Sequence, residues 1–399
     1  MKRILFVDDE PRVLDGLRRL LRPQRTQWDM LFATGGEEAL ILLEKSRVDV
    51  VVADMRMPGM DGADFLKRVY ERYPEVTRIV LSGQFDTETG MRATPFAHQF
   101  LTKPCDPDKL KAALKRSGES CTQLPGDSAR KVIPTIGALP SPPKVYVQLL
   151  EAVNDPGVSF DAISRIMSRD VALSAKVLQL ANSAFFGLER EVANVREAIT
   201  AFGLDVTKQL VVSTEILRQF RALKPNPHFS IEEFERHSRL TADIAVQLPG
   251  QADGNTRAMA ALLHDTGKLV LASQLPDAFA EACKIAAEEA IPSYQAEERV
   301  FGTNHAEVGA SLLNLWGLPQ AMVDPIAKHH RPQVPVPRSK GLDLLAVVHI
   351  ANALAHDREN KAARDGDWPS RLDREYIAQL GVDAEIPGWR SGLRGSGTA

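Results

Sequence analysis

Five side chains far apart in the chain have types that together could handle a phosphoryl group: Asp8, Asp9, Asp54, Ser82 and Lys103. Each lies at the end of a short apolar run. "RILFV" (3–7) runs into the two aspartates, "VDVVVAD" (48–54) closes on Asp54, "TRIVLS" (77–82) on Ser82, and "HQFLT" (98–102) is followed by Lys103. Three clustered carboxylates repel one another unless a cation lies among them. A hard octahedral cation such as Mg2+ suits oxygen ligands and keeps several waters. A carboxylate oxygen can attack a phosphoryl group to give an aspartyl phosphate. Mg2+ and the Lys103 ammonium would neutralise charge on the moving oxygens, and the Ser82 hydroxyl would hydrogen-bond the new phosphate. Any one acid at a strand end reads equally as a solvated turn residue; the five in this order point to a site.

A second set is built from histidine. Of nine histidines in the chain, seven lie between 237 and 356. His237, His264, His305, His329 and His330 occupy suggestive places, and Asp265 follows His264 directly. Imidazole and carboxylate are common ligands of Zn2+, Mn2+ and Fe2+. Neighbours on a helix point about 100° apart. One ion therefore takes both His264 and Asp265 only at an irregular position, which Gly267 would permit, whereas two ions bridged by Asp265 suit the doublet better. Each histidine also reads as a hydrogen-bonded core residue, and Lys268 as a phosphate contact or a surface lysine.

Elements must bring these residues together. Through residue 116, β-type runs (3–7, 29–34, 48–54, 77–82, 98–102) alternate with helical patterns (11–22, 36–46, 62–73, 106–117). Apolar residues through the third and fourth runs suit strands covered on both faces. The alternation predicts an α/β domain, a doubly wound five-stranded parallel sheet with right-handed crossovers, whose ligands bind beyond the carboxyl ends of the strands. "GMRATPFAHQF" (90–100) contains Pro95, so a helix there should be short or irregular. The polar, Ser/Gly/Pro-rich stretch 119–132 reads as a linker. Beyond it the strand texture gives way to helical patterns, an all-α domain over 133–357, then a C-terminal extension over 358–399 ending in a tail, "SGLRGSGTA", expected to be disordered. In "ANSAFFG", Asn182 and Ser183 are expected to terminate a helix and Phe185 and Phe186 to pack.

Composition narrows the function. The 399 residues are 44% hydrophobic and 25% charged, with net charge −3 and no basic block. That argues against direct DNA binding, and no helix-turn-helix with a basic second helix stands out. Three scattered cysteines, no signal peptide and no long uncharged apolar stretch lead to an expectation of a cytoplasmic protein with no membrane span.

"ILFVDDE", "ADMRMPGMDG", "IVLSG" and "FLTKP" closely resemble the receiver domains of two-component response regulators, over residues 1–118. The resemblance implies that Asp54 accepts phosphate from a histidine kinase. It implies that Asp8, Asp9, Asp54 and the Arg56 backbone carbonyl hold Mg2+, and that Ser82 and Lys103 contact the phosphate. Phe100 then matches the aromatic switch, Pro104 a proline after a cis peptide, and the face around the fifth strand a dimer surface. The stretch from "IGALPSPPKVYVQLLEAV" through "LLHDTGKLVL" and "NHAEVGASLLNLWGLP" to "IAKHH" looks like an HDOD domain, a relative of HD phosphohydrolases and HD-GYP phosphodiesterases. Most such domains are non-catalytic. This chain keeps His237, His264, Asp265, His305 and a histidine at 329/330, lacks a GYP signature, and has His349 where active HD enzymes place an aspartate ligand. Three roles stay open: an adaptor for a downstream signalling protein, a metal-dependent HD phosphohydrolase acting on a nucleotide or cyclic dinucleotide, or a sensor that binds such a nucleotide without cleaving it. A homodimer is compatible with each.

Overall fold

Successive residues of the first strand go to opposite sides of a sheet. The computed structural model describes residues 1–82, 96–122, 131–136, 158–182, 191–203, 226–332, 342–360 and 371–394, with isolated positions 92, 93, 148, 149, 152, 207 and 369. Strands β1 (Lys2–Val7), β2 (Trp28–Ala33), β3 (Val50–Ala53), β4 (Thr77–Ser82) and β5 (Gln99–Thr102) form one parallel sheet in the order β2-β1-β3-β4-β5. Ile4, Phe6, Val50, Val52, Ile79 and Leu81 pack one face against α1 (Pro11–Leu20) and α4 (Pro107–Thr122). Leu5, Val7, Val51, Ala53 and Val80 pack the other against α2 (Gly36–Lys45) and α3 (Gly62–Arg72). Both faces are covered, which is why β3 is apolar at every position. Strand order reverses between β1 and β3, so a crevice opens beyond their carboxyl ends.

The predicted doubly wound sheet is therefore present, followed by helices. The edges differ from expectation in two places. Helix α4 continues to Thr122, into the stretch read as linker. Of the stretch 90–100, residues 90, 91, 94 and 95 lie outside the described residues.

The helical domain comprises α5 (Phe160–Met167), α6 (Val171–Ala181), α7 (Val195–Phe202), α8 (Ile231–Gln247), α9 (Gly254–Leu263), α10 (Thr266–Gln274), α11 (Pro276–Glu288), α12 (Ser293–Phe301), α13 (His305–Leu315), α14 (Gln320–Lys328), α15 (Leu344–Glu359), α16 (Arg374–Leu380) and α17 (Ile386–Arg394). Most starts carry their own signal. Ser159, Asp170, Asn194, Ser230, Asp253, Asn304, Asp343 and Asp373 each accept a hydrogen bond from a backbone N–H of the first turn. The expected C-terminal extension is a packed part of this domain. Leu372, Tyr376, Ile377 and Ile386 join a cluster with Ile244, Ala261, Val347 and Ile350, so burial of apolar side chains ties α16 and α17 to α8, α9 and α15. Residues 391–394 of the expected tail are helical, and 395–399 lie outside the described residues. Asn182 ends α6 as expected, its amide donating to the Val192 carbonyl and its Oδ1 accepting from Val192 N–H; Ser183, Phe185 and Phe186 lie outside the described residues.

The two domains meet at β5, the sheet edge. All eleven residues of α6 are buried. Gln179 donates to the His98 carbonyl at 2.8 Å, and Gln99 donates to the Leu315 carbonyl at 2.6 Å, so side-chain amides bridge the edge. Arg78 is fully buried and donates to the carbonyls of Phe96, Val76, Pro74 and Pro134; His98 Nε2 donates to Pro134 as well. Lys176 stands in this seam, its ammonium 5.3 Å from the Trp316 ring centroid. Burial, and then the Arg78 charge, brings its pKa down to about 7.

A pH dependence follows. Between about pH 7 and the ordinary lysine value of about 10.4, the unfolded chain binds more protons than the folded one, so stability rises with pH. Below that window both states hold the proton and this contribution is flat. Denaturant midpoints at pH 7 and pH 9 should show wild type gaining about 1 kcal/mol per pH unit more than Lys176→Met. Equal gains in the two proteins would remove Lys176 as the cause.

Candidate functional site

The crevice beyond β1 and β3 contains the first site. Asp8 follows β1 and Asp54 follows β3, and both are buried. The Asp54 N–H donates to the Val7 carbonyl at 2.8 Å, which locks the two strand ends side by side. Carboxylate oxygens of Asp8, Asp9 and Asp54 lie within 4.8 Å of one another. The Lys103 ammonium reaches them from the end of β5, 2.5 Å from Asp8 Oδ2 and 3.0 Å from Asp54 Oδ1. Asp54 Oδ2 accepts from the Arg56 N–H at 3.2 Å. Gly62 supports this loop from below, since a Cβ there would lie 2.1 Å from the Asp54 carbonyl oxygen.

Burial pushes the Asp54 carboxyl above its ordinary pKa; Lys103 opposes this and the Asp8 charge adds to it. For Lys103, burial pulls downward, but hydrogen bonds and charges from Asp8 and Asp54 outweigh it and leave its pKa raised. An all-oxygen donor set with more negative charge than one ammonium offsets fits a hard divalent cation. The peptide between Lys103 and Pro104 is cis, and Phe100 is buried in the apolar cluster that continues into the helical domain. Ser82 ends β4 in register with Thr102; its side chain lies outside the described residues.

The second site forms where six helices converge. Helix α9 ends at Leu263 and α10 begins at Thr266, so His264 and Asp265 occupy the break between them. That break is the irregular position the doublet requires. Gly267 has a different part from the one expected. A Cβ there would lie 1.9 Å from the His305 carbonyl oxygen and 2.7 Å from Gly309 N, so its bare backbone lets α10 and α13 touch.

Asp265 is at the centre. Its Oδ1 lies 2.9 Å from His305 Nε2, 3.3 Å from His264 Nε2 and 3.7 Å from His329 Nε2, while Oδ2 meets the Lys268 ammonium at 2.5 Å. His264 Nδ1 donates to the Ala261 carbonyl at 2.6 Å and His329 Nδ1 to the Ile326 carbonyl at 2.7 Å. Each bond fixes the tautomer and leaves a lone pair on Nε2. Both Nε2 atoms are buried without a hydrogen-bond partner among the described residues, and Asp265 Oδ1 has His305 Nε2 as its one partner within hydrogen-bond reach. Lone pairs of the His264 and His329 imidazoles thus point at a buried carboxylate with no proton of their own to offer it, an arrangement that burial makes unfavourable unless a cation occupies it. His330 Nε2 lies 2.8 Å from His305 Nε2, and His305 Nδ1 lies 2.6 Å from Glu297 Oε2. A carboxylate behind a metal-facing imidazole is the usual support of a ligand histidine.

Burial brings the His264 pKa down to about 4 and holds those of His329 and His330 well below the ordinary range. For His305, burial is outweighed by the neighbouring Glu297 and Asp265 carboxylates, and its pKa is raised. Burial acts upward on Asp265, but His264, Lys268 and His305 hold it well below the carboxylate range.

Two family models match. The one described as "Response regulator receiver domain" covers residues 4–115, and the one described as "HDOD domain" covers residues 139–332. The chain is a response regulator. Its receiver domain is N-terminal and its HDOD domain C-terminal. The response regulator is 27% identical over 258 residues to an uncharacterized protein of Treponema pallidum, covering 64% of this chain and 49% of that one. It is 33% identical over 192 residues to the hydrogenase transcriptional regulatory protein HoxA of Cupriavidus necator, covering 45% of this chain and 39% of that one. The chain therefore spans less than half the length of either relative. Among solved structures, the MmoQ response regulator of Methylococcus capsulatus matches at 23% identity and a TM-score of 0.49, covering 61% of this chain and 98% of that one. An HDOD domain protein with unknown function from Geobacter sulfurreducens matches at 24% identity and a TM-score of 0.36, covering 72% of this chain and 98% of that one. No helix among the described residues is long and apolar enough to cross a membrane.

The structure of the response regulator brings together His264, Asp265, His305, His329 and His330, with His237 beside His264 at a ring separation of 5.5 Å. It does not bring His349 to them. The Nδ1 of His349 donates to the His329 carbonyl at 2.7 Å and its Nε2 accepts from the Asp373 N–H at 3.0 Å. Both ring nitrogens are engaged, so His349 positions the backbone of His329 and joins α15 to the start of α16. Three residues of α15 meet His237 instead, and Asn352 Oδ1 lies 3.0 Å from its Nε2. His356 stacks on His237 at 4.2 Å, and Glu359 Oε2 lies 2.9 Å from His237 Nδ1. Sequence reasoning missed these three, although positions 352, 356 and 359 are spaced as one helix face. Glu297 had no such signal.

Gly267→Ala should separate α10 from α13 and lower stability by about 1–3 kcal/mol or more, as overpacking does. Gly16→Ala in α1, where a Cβ would meet nothing within 4 Å, should be tolerated. The denaturant midpoints of both variants decide this, and an unshifted midpoint for Gly267→Ala would contradict the close approach.

Proposed function

We propose that Asp54 accepts a phosphoryl group from a histidine kinase and that the HDOD domain carries the resulting signal to a protein or nucleotide partner. The observation that supports the first part best is the shared contact of Lys103 with Asp8 and Asp54 across three strand ends. Asp54 supplies the nucleophilic oxygen. Lys103 holds Asp54 in place and offsets charge on the phosphoryl oxygens. Asp8, Asp9, Asp54 and the Arg56 carbonyl would hold Mg2+, which when bound supplies charge neutralisation in the transition state. Ser82 would donate to the phosphate. The signal would leave through β5. Lys103 and buried Phe100 belong to this strand and its end, while His98 and Gln99 at its start bear the contacts with α6 and α13. Domain limits of 1–118, 119–132, 133–357 and 358–399 describe the chain for this purpose, with α16 and α17 counted as part of the output domain's packing.

In the HDOD domain, Asp265, His264, His305, His329 and His330, with His237 adjacent, fit a transition metal such as Mn2+, Fe2+ or Zn2+, which would supply Lewis acidity when bound. Asp265 is the sole carboxylate facing both donor groups that contain it. The α15 residue nearest to His237 Nε2 is the neutral Asn352, which lowers the negative charge of the site and removes a base. That favours a metal-stabilised regulatory module. The second reading is a metal-dependent phosphohydrolase, favoured by the sharing of Asp265 between two donor groups. Purified protein treated with acetyl phosphate and Mg2+ should incorporate phosphate, and EDTA should prevent it. A hydrolysis screen of cyclic dinucleotides with Mn2+ separates the two readings: turnover lost in His264→Ala supports the hydrolase, and none supports the module.

A further inference from the structure

A cleft of about 820 Å3 opens between α5, α7, α8 and α9, and its chemistry has no part in either site above. Arg165, Arg169, Arg196, Arg236 and Arg239 line it, against two carboxylates, Asp161 and Asp243. Asp161 is engaged by Arg196 at 3.0 Å. Arg239 is held by the buried Glu235 at 3.1 Å, and Arg236 lies 3.7 Å from Glu359. Arg165 and Arg169 make no close ion pair among the described residues, although the Arg169 charge acts on the Asp243 carboxylate; Arg165 Nε donates to the Asp161 carbonyl. A second cavity of about 540 Å3 is lined by Arg165, Arg169 and Arg239 as well, so these three guanidiniums stand where the two spaces join.

Like charges gathered in a concave space repel unless an anion is meant to lie among them. Guanidinium forks match the oxygens of a phosphate two at a time. The starts of α7 and α9 also border the cleft, but both are already capped, by Asn194 with Glu197 in the first turn and by the Asp253 carboxylate, so the arginine side chains supply its positive charge. The walls differ in character. From α5 come Ser164 and Arg165, with Ser168 and Arg169 in the turn that follows it; from α9 comes Ala258, over the buried Met259 and Leu262, with Leu240 and the exposed Val246 of α8 nearby. An occupant that matches both walls is anionic at one end and flat and apolar at the other. The volume lies within the usual range for small-molecule sites.

We propose that this cleft binds a nucleotide, its phosphates on Arg165, Arg169 and Arg239 and its base against Leu240, Val246 and Ala258. The site is separate from the His/Asp cluster and stands whether or not that cluster holds metal.

Calorimetric titration of the full chain with ATP, GTP, cyclic di-GMP and cyclic di-AMP tests the proposal, with pyrophosphate and a poly-glutamate peptide alongside. At least one nucleotide should bind. Arg165→Gln/Arg169→Gln should weaken it at least about tenfold, as loss of charge-assisted contacts does, while His264→Ala leaves it within about twofold. Because these two arginines bind no buried carboxylate, the double variant should keep the wild-type melting profile. Binding lost in His264→Ala but kept in the double variant would overturn the proposal. So would binding of the peptide with no nucleotide bound, pyrophosphate as tight as every nucleotide, or no binding at all.

Discussion

Asp54→Asn is expected to abolish incorporation of phosphate from acetyl phosphate in the presence of Mg2+. In the wild-type reaction an Asp54 oxygen forms a bond to phosphorus as the bond to acetate breaks, and acetate leaves with the electron pair. An amide oxygen is a far weaker nucleophile than a carboxylate, so labelling should fall by roughly a hundredfold or more. The substitution is nearly isosteric and keeps an oxygen acceptor for Lys103, which lies 3.0 Å from Asp54 Oδ1, so the fold should persist. Asp8 is buried and stays in contact with the same ammonium. The label on wild type should be released by hydroxylamine, as an acyl phosphate is. A label that persists in Asp54→Asn, or that resists hydroxylamine in wild type, would show that another residue is modified.

The second large effect concerns metal content. Wild-type protein loaded with Mn2+, Fe2+ or Zn2+ and then desalted should retain metal measurable by inductively coupled plasma mass spectrometry, and Asp265→Asn should retain almost none. Asp265 Oδ1 is the one atom close to His264, His305 and His329 together, at 3.3, 2.9 and 3.7 Å. Removing its charge leaves neutral donors only. Glu297→Gln tests the same centre less severely. Glu297 contacts the far nitrogen of His305, and loss of such a supporting carboxylate weakens metal affinity about 10–100-fold. Graded retention, wild type above Glu297→Gln above Asp265→Asn, is the expected result. Equal retention in all three proteins, or none in wild type, would mean that the convergent lone pairs have another cause.

The sequence carried much of this because strand ends are self-announcing. An apolar run that stops on an acid or a lysine marks both an element and its chemistry. In a parallel sheet all such ends face one way, so Asp8, Asp54 and Lys103 had to meet. Helices offer no such shortcut. Their facing residues depend on rotation and crossing angle, and a shift of one turn exchanges one candidate for another. His349 and Asn352 lie less than a turn apart on α15. The motif resemblance favoured His349, and the structure turns it to a backbone carbonyl instead. The packing of α16 and α17 was hidden for a similar reason, since their few apolar residues acquire meaning only against α8 and α15. The arginine cleft was equally silent, because its five cations come from three helices and a turn and form no run in the chain.

Helix α6 is enclosed by neighbours from both halves of the molecule. A foreign receiver grafted onto this output domain would have to offer backbone oxygens to Gln179 and a neighbour tolerant of Lys176, or leave two polar groups stranded. The seam therefore resists the free exchange of parts that a modular layout suggests.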